Sequence, residues 1–277
     1  MLGITGSTGH LGGRIARLLA AEGVEQRLVV RTPAKAPRLP GTTVVQASYA
    51  DGAAVRRALE GLDTVLMVSA AEAEDRLHEH YTFVDAAAAA GVRRLVYTSF
   101  YGAAADATFL LARDHHLTEQ HIERSGMVPT FLRDNLYADF FPQLAGADGV
   151  IRGPAGDGRV AAVAQDDIAA AATAVLLDPT AHEGRAYDLT GPAAITLTEA
   201  AATMSRVLGR DYSFVDETPA EAYASRSTYG AARWQVDAWV STYTAIAAGE
   251  LAGVTGDVEL LTGRPATSLE ELLRRRG

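Results

Sequence analysis

Along the first half of the chain, short apolar runs alternate with stretches in which apolar residues recur three and four apart. Leu2-Gly3-Ile4-Thr5 is followed by Leu11, Ile15, Leu18 and Leu19 at i, i+4, i+7 and i+8, the spacing of one helix face. The strand pattern returns at residues 28–30, 44–47, 64–68, 95–98 and 128–132. Between these runs, Asp51 caps a predicted helix that passes Leu59 and stops at Gly61. A second helix is predicted from about residue 72 to Ala90, and a third ending near Gly126. Strands that are apolar throughout need cover on both faces, which a parallel sheet between helices supplies. The alternation predicts an α/β fold with a doubly wound parallel sheet and ligand sites at the carboxyl ends of its strands.

After about residue 145 the pattern loosens. Gly153, Pro154, Gly156 and Gly158 are turn residues, and helices are predicted over 166–177, 198–208, 219–224, 234–248 and from about 268. Residues 185–189 read as a strand returning to the main sheet. The division expected is residues 1–145 as a dinucleotide-binding domain, joined by that return strand near 185–190, and residues 146–277 as a smaller α+β substrate-binding or lid domain.

The segment between the first strand and first helix carries the strongest chemical signal, Gly6-Ser7-Thr8-Gly9-His10-Leu11-Gly12. Amides at a helix N-terminus are unpaired and carry partial positive charge, so they bind a pyrophosphate. Gly6 lets the chain turn, Gly9 lets backbone approach phosphate, and Gly12 lets the helix pack closely on the sheet. The spacing G-x-x-G-x-x-G is a variant of the standard dinucleotide fingerprint. No Lys-Ser/Thr pair follows, which argues against a triphosphate-binding loop.

Composition narrows the classes. The net charge of −9 argues against a nucleic-acid backbone as partner. The absence of cysteine removes disulfides, thiolate catalysis and cysteine metal sites, and is compatible with a cytoplasmic location. The first strand begins at residue 2, so no leader peptide is expected. The longest apolar stretch, residues 168–177, is too short to span a bilayer, so no membrane insertion is expected.

The second strand ends at Arg31, with Lys35 one turn on and no acidic residue between them. An acidic residue there would bind the ribose 2′-hydroxyl of NAD; a guanidinium instead donates two parallel bonds to a 2′-phosphate. The ligand expected is therefore NADP(H).

Gly6 to Gly12, Val30-Arg31-Thr32-Pro33-Ala34-Lys35, Tyr97-Thr98-Ser99, Leu132-Arg133-Asp134-Asn135, Gly156-Asp157-Gly158 and Leu261-Thr262-Gly263-Arg264-Pro265 together resemble the NmrA-like branch of the atypical short-chain dehydrogenases/reductases. Within it the chain is most similar to bacterial NADPH-dependent quinone oxidoreductases, with triphenylmethane reductases nearby. The resemblance covers almost the whole chain. It implies a Rossmann domain with a small C-terminal substrate domain, and a monomer or homodimer. It also implies that Gly6, Ser7, Thr8, Gly9, His10, Leu11 and Gly12 hold the pyrophosphate. Arg31 and Lys35 would face the 2′-phosphate, with Ser69, Ala70 and Ser99 beside the ribose and nicotinamide.

Two departures from the family pattern matter. Many members have Gly-Asp after the third strand, where this chain has Ala47-Ser48-Tyr49, leaving Ser48 and Tyr49 as candidates for the adenine. The Tyr-x-x-x-Lys pair of mainstream short-chain dehydrogenases is missing, and Gln120 stands where similar quinone reductases have a helical lysine. Glutamine supplies no charge to lower a tyrosine's pKa, which disfavours reversible alcohol oxidation. A quinone needs less help, because it accepts hydride readily once held in line with the nicotinamide. Phe100, Tyr101, Asn135, Tyr137 and Phe140 are the candidate substrate contacts. Candidate catalytic groups are Tyr137, Asn135, His115 as a proton donor, and Gln120. The His115/His116/Glu119/His121 cluster lacks the His-Glu-x-x-His pattern, so no metal is expected.

The function expected is an NADPH-dependent reductase of a small quinone-like acceptor. The alternative is an NADP(H)-binding redox sensor of the NmrA type without turnover. A weaker third reading is a tailoring reductase or epimerase.

Overall fold

The computed structural model describes residues 1–275. The first half of the chain alternates β1 (Leu2–Thr5), α1 (His10–Ala21), β2 (Gln26–Val30), β3 (Thr42–Gln46), α2 (Gly52–Leu59), β4 (Thr64–Met67), α3 (Arg76–Ala89), β5 (Arg94–Phe100), α4 (Leu110–Arg124) and β6 (Val128–Asp134). A short helix α5 (Phe141–Leu144), strands β7 (Val150–Gly153) and β8 (Arg159–Val160), and helix α6 (Gln165–Leu177) precede β9 (Ala186–Leu189). The main sheet has seven strands in the order β3-β2-β1-β4-β5-β6-β9. The pairs β1–β2, β1–β4, β2–β3 and β4–β5 are parallel. At the far edge, Phe131 N–H bonds Arg185 O and Asn135 N–H bonds Leu189 O, so β9 advances in the same direction as β6. The doubly wound parallel fold and the expected return strand are both present. Strand order reverses between β1 and β4, the switch point at which such sheets open a ligand crevice.

Burial explains the apolar runs. Val65 and Met67 of β4 and Leu95 and Tyr97 of β5 join one cluster with Val55, Phe83 and Ile122 of α2, α3 and α4. Leu66 and Val96 point to the opposite face and are equally buried. On α1, Leu11, Ile15 and Leu19 are buried, each contributing about 1.5–3 kcal/mol. Leu18 is 40% exposed and does not share that face. It lies about 100° around the helix from Leu19, outside the buried face formed by Leu11, Gly12, Ile15, Ala16 and Leu19.

Helix α3 starts at Arg76, four residues later than the periodicity suggests, because the chain after β4 first forms an irregular connection. Elsewhere local chemistry sets the ends. Asp51 accepts from Ala54 N–H at 2.9 Å as the cap of α2.

The chain divides into two compact units that no single cut describes. Unit 1 is residues 1–100, 114–133 and 166–187; unit 2 is residues 101–113, 134–165 and 188 onward. A boundary at residue 145 misses this interleaving, because α6 and the start of β9 return to the first unit while the segment after β6 leaves it. Unit 2 adds β10 (Ile195–Thr196), α7 (Leu197–Leu208), β11 (Ser213–Asp216), α8 (Pro219–Arg226), α9 (Arg233–Ala247), α10 (Asp257–Thr262) and α11 (Leu269–Arg274). In it β7 pairs parallel with β11 and β8 antiparallel with β10. Capping boxes start α7 at Thr196, α8 at Thr218 and α11 at Ser268.

Candidate functional site

The glycine loop sits at the carboxyl end of β1, beside the strand-order switch. Gly6 has φ +65°, and a Cβ there would lie 2.8 Å from Val68 Cβ. A Cβ on Gly12 would lie 2.5 Å from the Gly6 carbonyl oxygen, so α1 can start this close to β1 only through glycine. Helix α1 begins after Gly9 with no side-chain cap, leaving its first-turn N–H groups to be satisfied from outside the helix. Thr8, Gly9 and His10 are exposed, whereas Ser7, Leu11 and Gly12 are buried. The buried Ser7 hydroxyl has no hydrogen-bond partner.

At the end of β2, Arg31 and Lys35 are exposed around a single 3₁₀ turn, Pro33–Lys35. Arg38 is exposed in the same segment and adds a third cation that the motif reading omitted.

After β3 the structure separates Ser48 from Tyr49. Ser48 is half-buried, and its carbonyl accepts from Asp51 N–H in the turn before α2. Tyr49 is turned inward, its ring 4.5 Å from that of Phe83. Val68 N–H donates to Thr5 Oγ1 at 2.9 Å, and Tyr49 Oη donates to Val68 O at 2.7 Å. With both those protons placed, the 2.5 Å contact between Thr5 Oγ1 and Tyr49 Oη is a bond donated by Thr5. Tyr49 is therefore a brace between β1 and β4; burial holds its phenol well above the ordinary range, and its hydroxyl is not free for an adenine.

Ser69 and Ala70 follow β4 and are half-buried. Ser69 N–H donates to Thr98 Oγ1 at 2.8 Å, and Ala70 N–H donates to His80 Nε2 at 2.9 Å. At the end of β5, Ser99 Oγ donates to Glu119 Oε1 at 2.5 Å. Arg133 clamps that carboxylate with Nε at 2.9 Å from Oε1 and Nη2 at 2.7 Å from Oε2. Glu119 is thus the residue of α4 that faces Ser99. Gln120, one position on, turns the other way, to His116 at 2.9 Å and Arg124 at 3.2 Å, because successive helical residues are about 100° apart. Gln120 does not face Ser99.

His115 is 6% exposed and lies under β5. Arg76 Nη2 donates to its Nε2 at 2.9 Å, and its Nδ1 lies 2.9 Å from Tyr97 Oη. Burial first, then the Arg76 charge and His80, hold its pKa well below the ordinary imidazole value. A ring enclosed in this way, with Nε2 accepting from Arg76 and Nδ1 against Tyr97, is not placed as the proton donor expected of it. Tyr97 is fully buried and its phenol is pushed up by desolvation, so it cannot supply the missing acid either.

The substrate candidates fall on both sides of the unit boundary. Phe100 ends β5 in unit 1, with its ring 6.0 Å from His115. Tyr101, Asn135, Tyr137 and Phe140 belong to unit 2. Asn135 is fully buried: its Nδ2 donates to Leu251 O at 3.0 Å and its Oδ1 accepts from Leu136 N–H at 2.8 Å. That makes it a tie between backbone segments, in a position closed to solvent. Phe140 is 42% exposed, its ring 5.5 Å from Tyr137. Tyr137 is half-buried and donates to Asp134 Oδ2 at 3.1 Å. Burial raises the Asp134 carboxyl well above its usual value, with the Tyr137 bond opposing, and Asp134 Oδ1 has no partner. A site reading based on aromatic and amide types passed over Asp134, although its place in Leu132-Arg133-Asp134-Asn135 was visible.

No cluster of three or more metal-ligating side chains occurs among the described residues, and no helix among them is long and apolar enough to cross a membrane.

The model of the NmrA-like family matches residues 1–228. The chain belongs to the NmrA-like family. This NmrA-like chain is 35% identical over 279 residues to quinone oxidoreductase 2 of Escherichia coli, covering 98% of this chain and 96% of that protein. It superposes on an NADPH-dependent quinone oxidoreductase from Escherichia coli complexed with NADPH, with a TM-score of 0.91, 33% identity, and coverage of 100% of this chain and 99% of that one. The Citrobacter triphenylmethane reductase complexed with NADP(H) matches with a TM-score of 0.88, 28% identity and coverage of 99% of both chains.

Proposed function

We propose that the chain is an NADPH-dependent oxidoreductase whose acceptor is a quinone or a similarly conjugated, electron-poor small molecule. One juxtaposition carries this reading: an uncapped α1 N-terminus behind a glycine turn, with an exposed basic segment at the end of the adjacent strand. The N–H groups of the first turn of α1 would take the pyrophosphate, and Ser7 Oγ, buried without a partner, would gain one from it. Arg31 and Lys35 would take the 2′-phosphate. When bound, the reduced nicotinamide supplies a hydride.

The residues around the strand ends disfavour alcohol chemistry. Tyr97 is enclosed, Ser99 donates its proton to Glu119, and Gln120 faces away from both. No Tyr/Lys acid–base pair stands at the end of β5. An acceptor reduced here must take hydride without strong acid assistance, as a conjugated quinone does, and collect one proton to become the hydroquinone. That proton comes from solvent or from a donor on the substrate side. The names of the relatives, a quinone oxidoreductase and a reductase of triphenylmethane dyes, support an extended conjugated acceptor.

The test is spectrophotometric. Protein, NADPH and a panel of benzoquinones and naphthoquinones are mixed, and loss of reduced-cofactor absorbance is followed. Turnover above the uncatalysed rate is expected. Tight NADPH binding with no oxidation by any acceptor would sink the reductase reading and leave the redox-sensor one.

A further inference from the structure

The irregular connection after β4 is held from below by side chains of α3. Ala70 N–H donates to His80 Nε2 at 2.9 Å, and Arg76 Nε donates to Ala70 O at 3.0 Å. Residue 70 is thus held at both its backbone polar groups by residues one helical turn apart on one face of α3. We propose that Arg76 and His80 are positioning residues that fix the backbone of Ser69 and Ala70 where it meets the nicotinamide end of the cofactor. The inference rests on the NADP(H) reading above.

The bonds behind this pair leave each group one role. His80 Nε2 accepts from Ala70, so the ring proton is on Nδ1, which donates to Thr118 Oγ1 at 3.0 Å. That hydroxyl donates in turn to Asp114 O at 2.7 Å on α4. A guanidinium has only donors, so Arg76 Nη2 makes His115 Nε2 the acceptor, and His115 Nδ1–H donates to Tyr97 Oη on β5. Arg76 also pairs with Asp114 at 3.4 Å. The chain of bonds therefore ties the connection after β4 to α4 and β5, the elements that also carry Ser99 and Glu119.

A stability role alone does not account for this arrangement. Arg76 and His80 are 3% and 0% exposed, and burying a guanidinium beside two imidazoles gains little over an apolar core of equal volume. What these groups supply and leucine cannot is direction: bonds aimed at a backbone segment that no regular element holds. A misplacement of about 1 Å at a reacting centre costs up to about 100-fold in rate, so a fixed strand end has catalytic value.

The experiment compares His80→Leu, which removes the acceptor, with His80→Gln, whose amide oxygen reaches the same place. Binding of NADPH and of 2′,5′-ADP, the adenosine half alone, is measured by calorimetry, and kcat is measured with a quinone. For His80→Leu, kcat is expected to fall about tenfold and NADPH affinity severalfold, with 2′,5′-ADP affinity unchanged within about twofold. His80→Gln is expected to recover most of both losses. Equal loss of NADPH and 2′,5′-ADP binding, no loss at all, or a glutamine variant as impaired as the leucine one overturns the proposal. Should His80→Leu not fold, Arg76→Lys, whose single ammonium cannot reach both Ala70 O and His115, is judged by the same split between NADPH and 2′,5′-ADP. A wild-type protein that binds NADPH but reduces no quinone defeats the reductase reading, while the two binding measurements still decide this one.

Discussion

The two ends of the strand-edge row in unit 1 are built in opposite ways. At β1, the loop to α1 presents backbone: glycines remove side chains, and no side-chain cap covers the first-turn amides of the helix. At β4, the backbone after the strand is itself a guest of side chains, held by Arg76, His80 and Thr98, and at β5 the Ser99 hydroxyl is held by the Glu119–Arg133 clamp. A phosphate cradle needs closeness and positive backbone ends, which any chain that turns this way supplies. The strand ends beyond it need exact placement of an otherwise irregular segment, which only directional bonds from packed neighbours provide. The first end is thus intolerant of added atoms, and the second of lost bonds.

That contrast can be broken at several points. The largest effect is expected from Gly12→Val. Its Cβ meets the Gly6 carbonyl, so α1 must move off β1, costing about 3 kcal/mol and nearly all NADPH affinity; a chemical melt and a calorimetric titration read both. Arg31→Ala comes next. It leaves the fold intact and weakens NADPH about tenfold to 100-fold, while NADH binding is unchanged. Equal loss for both cofactors would falsify the 2′-phosphate assignment.

The pH dependence of stability sharpens the second half of the comparison. His80 and His115 have pKa values depressed by burial, and in the unfolded chain they regain the ordinary value near 6.5. Below about pH 6.5 the unfolded state binds more protons, so each ring removes about 1.4 kcal/mol of stability per pH unit as pH falls. Asp134 works in the opposite sense. Its folded pKa is raised, so acidification stabilises the fold until the unfolded carboxyl also protonates near pH 3.9. Each histidine therefore contributes a loss on acidification from about pH 6.5 toward 5, opposed by Asp134 and by Asp114, whose carboxyl is also raised by burial. Urea melts across that range read the balance, and His80→Gln is expected to remove one histidine's share of the loss. The smallest effect is expected from Gln120→Ala, a change in kcat of less than about twofold, because its side chain bonds only outward along α4. A large loss there would restore Gln120 to the catalytic machinery.

Much of the fold was legible because apolar periodicity is local. The seven-strand sheet follows from runs such as residues 64–68 and 95–98, and the helix stops at Gly61, Gly91 and Gly126 are written in glycine. Of the proposed site, the glycine turn and the basic end of β2 were visible as local patterns. His115 and Asn135 were chosen for chemical type and Tyr49 for its place after the third strand, and folding gives each a partner distant in sequence: Arg76, Leu251 and Val68. Glu119 was passed over beside Gln120 because a helix's register toward the sheet cannot be told from one polar residue to the next. The interleaving of the two units was hidden for a related reason, since contact density is a property of the whole chain and not of any window in it.

By itself, then, the sequence determined what depends on near neighbours: strand and helix alternation, the glycine turn, the uncapped helix start and the basic end of β2. Those features require only backbone geometry and charge within a few residues. Tertiary structure decided which polar side chains are spent on the protein and which remain for a ligand. Hydrogen-bond capacity is finite, and whether a buried group has used it depends on neighbours that folding brings from 30 or more residues away, as it does for Arg76 and His115.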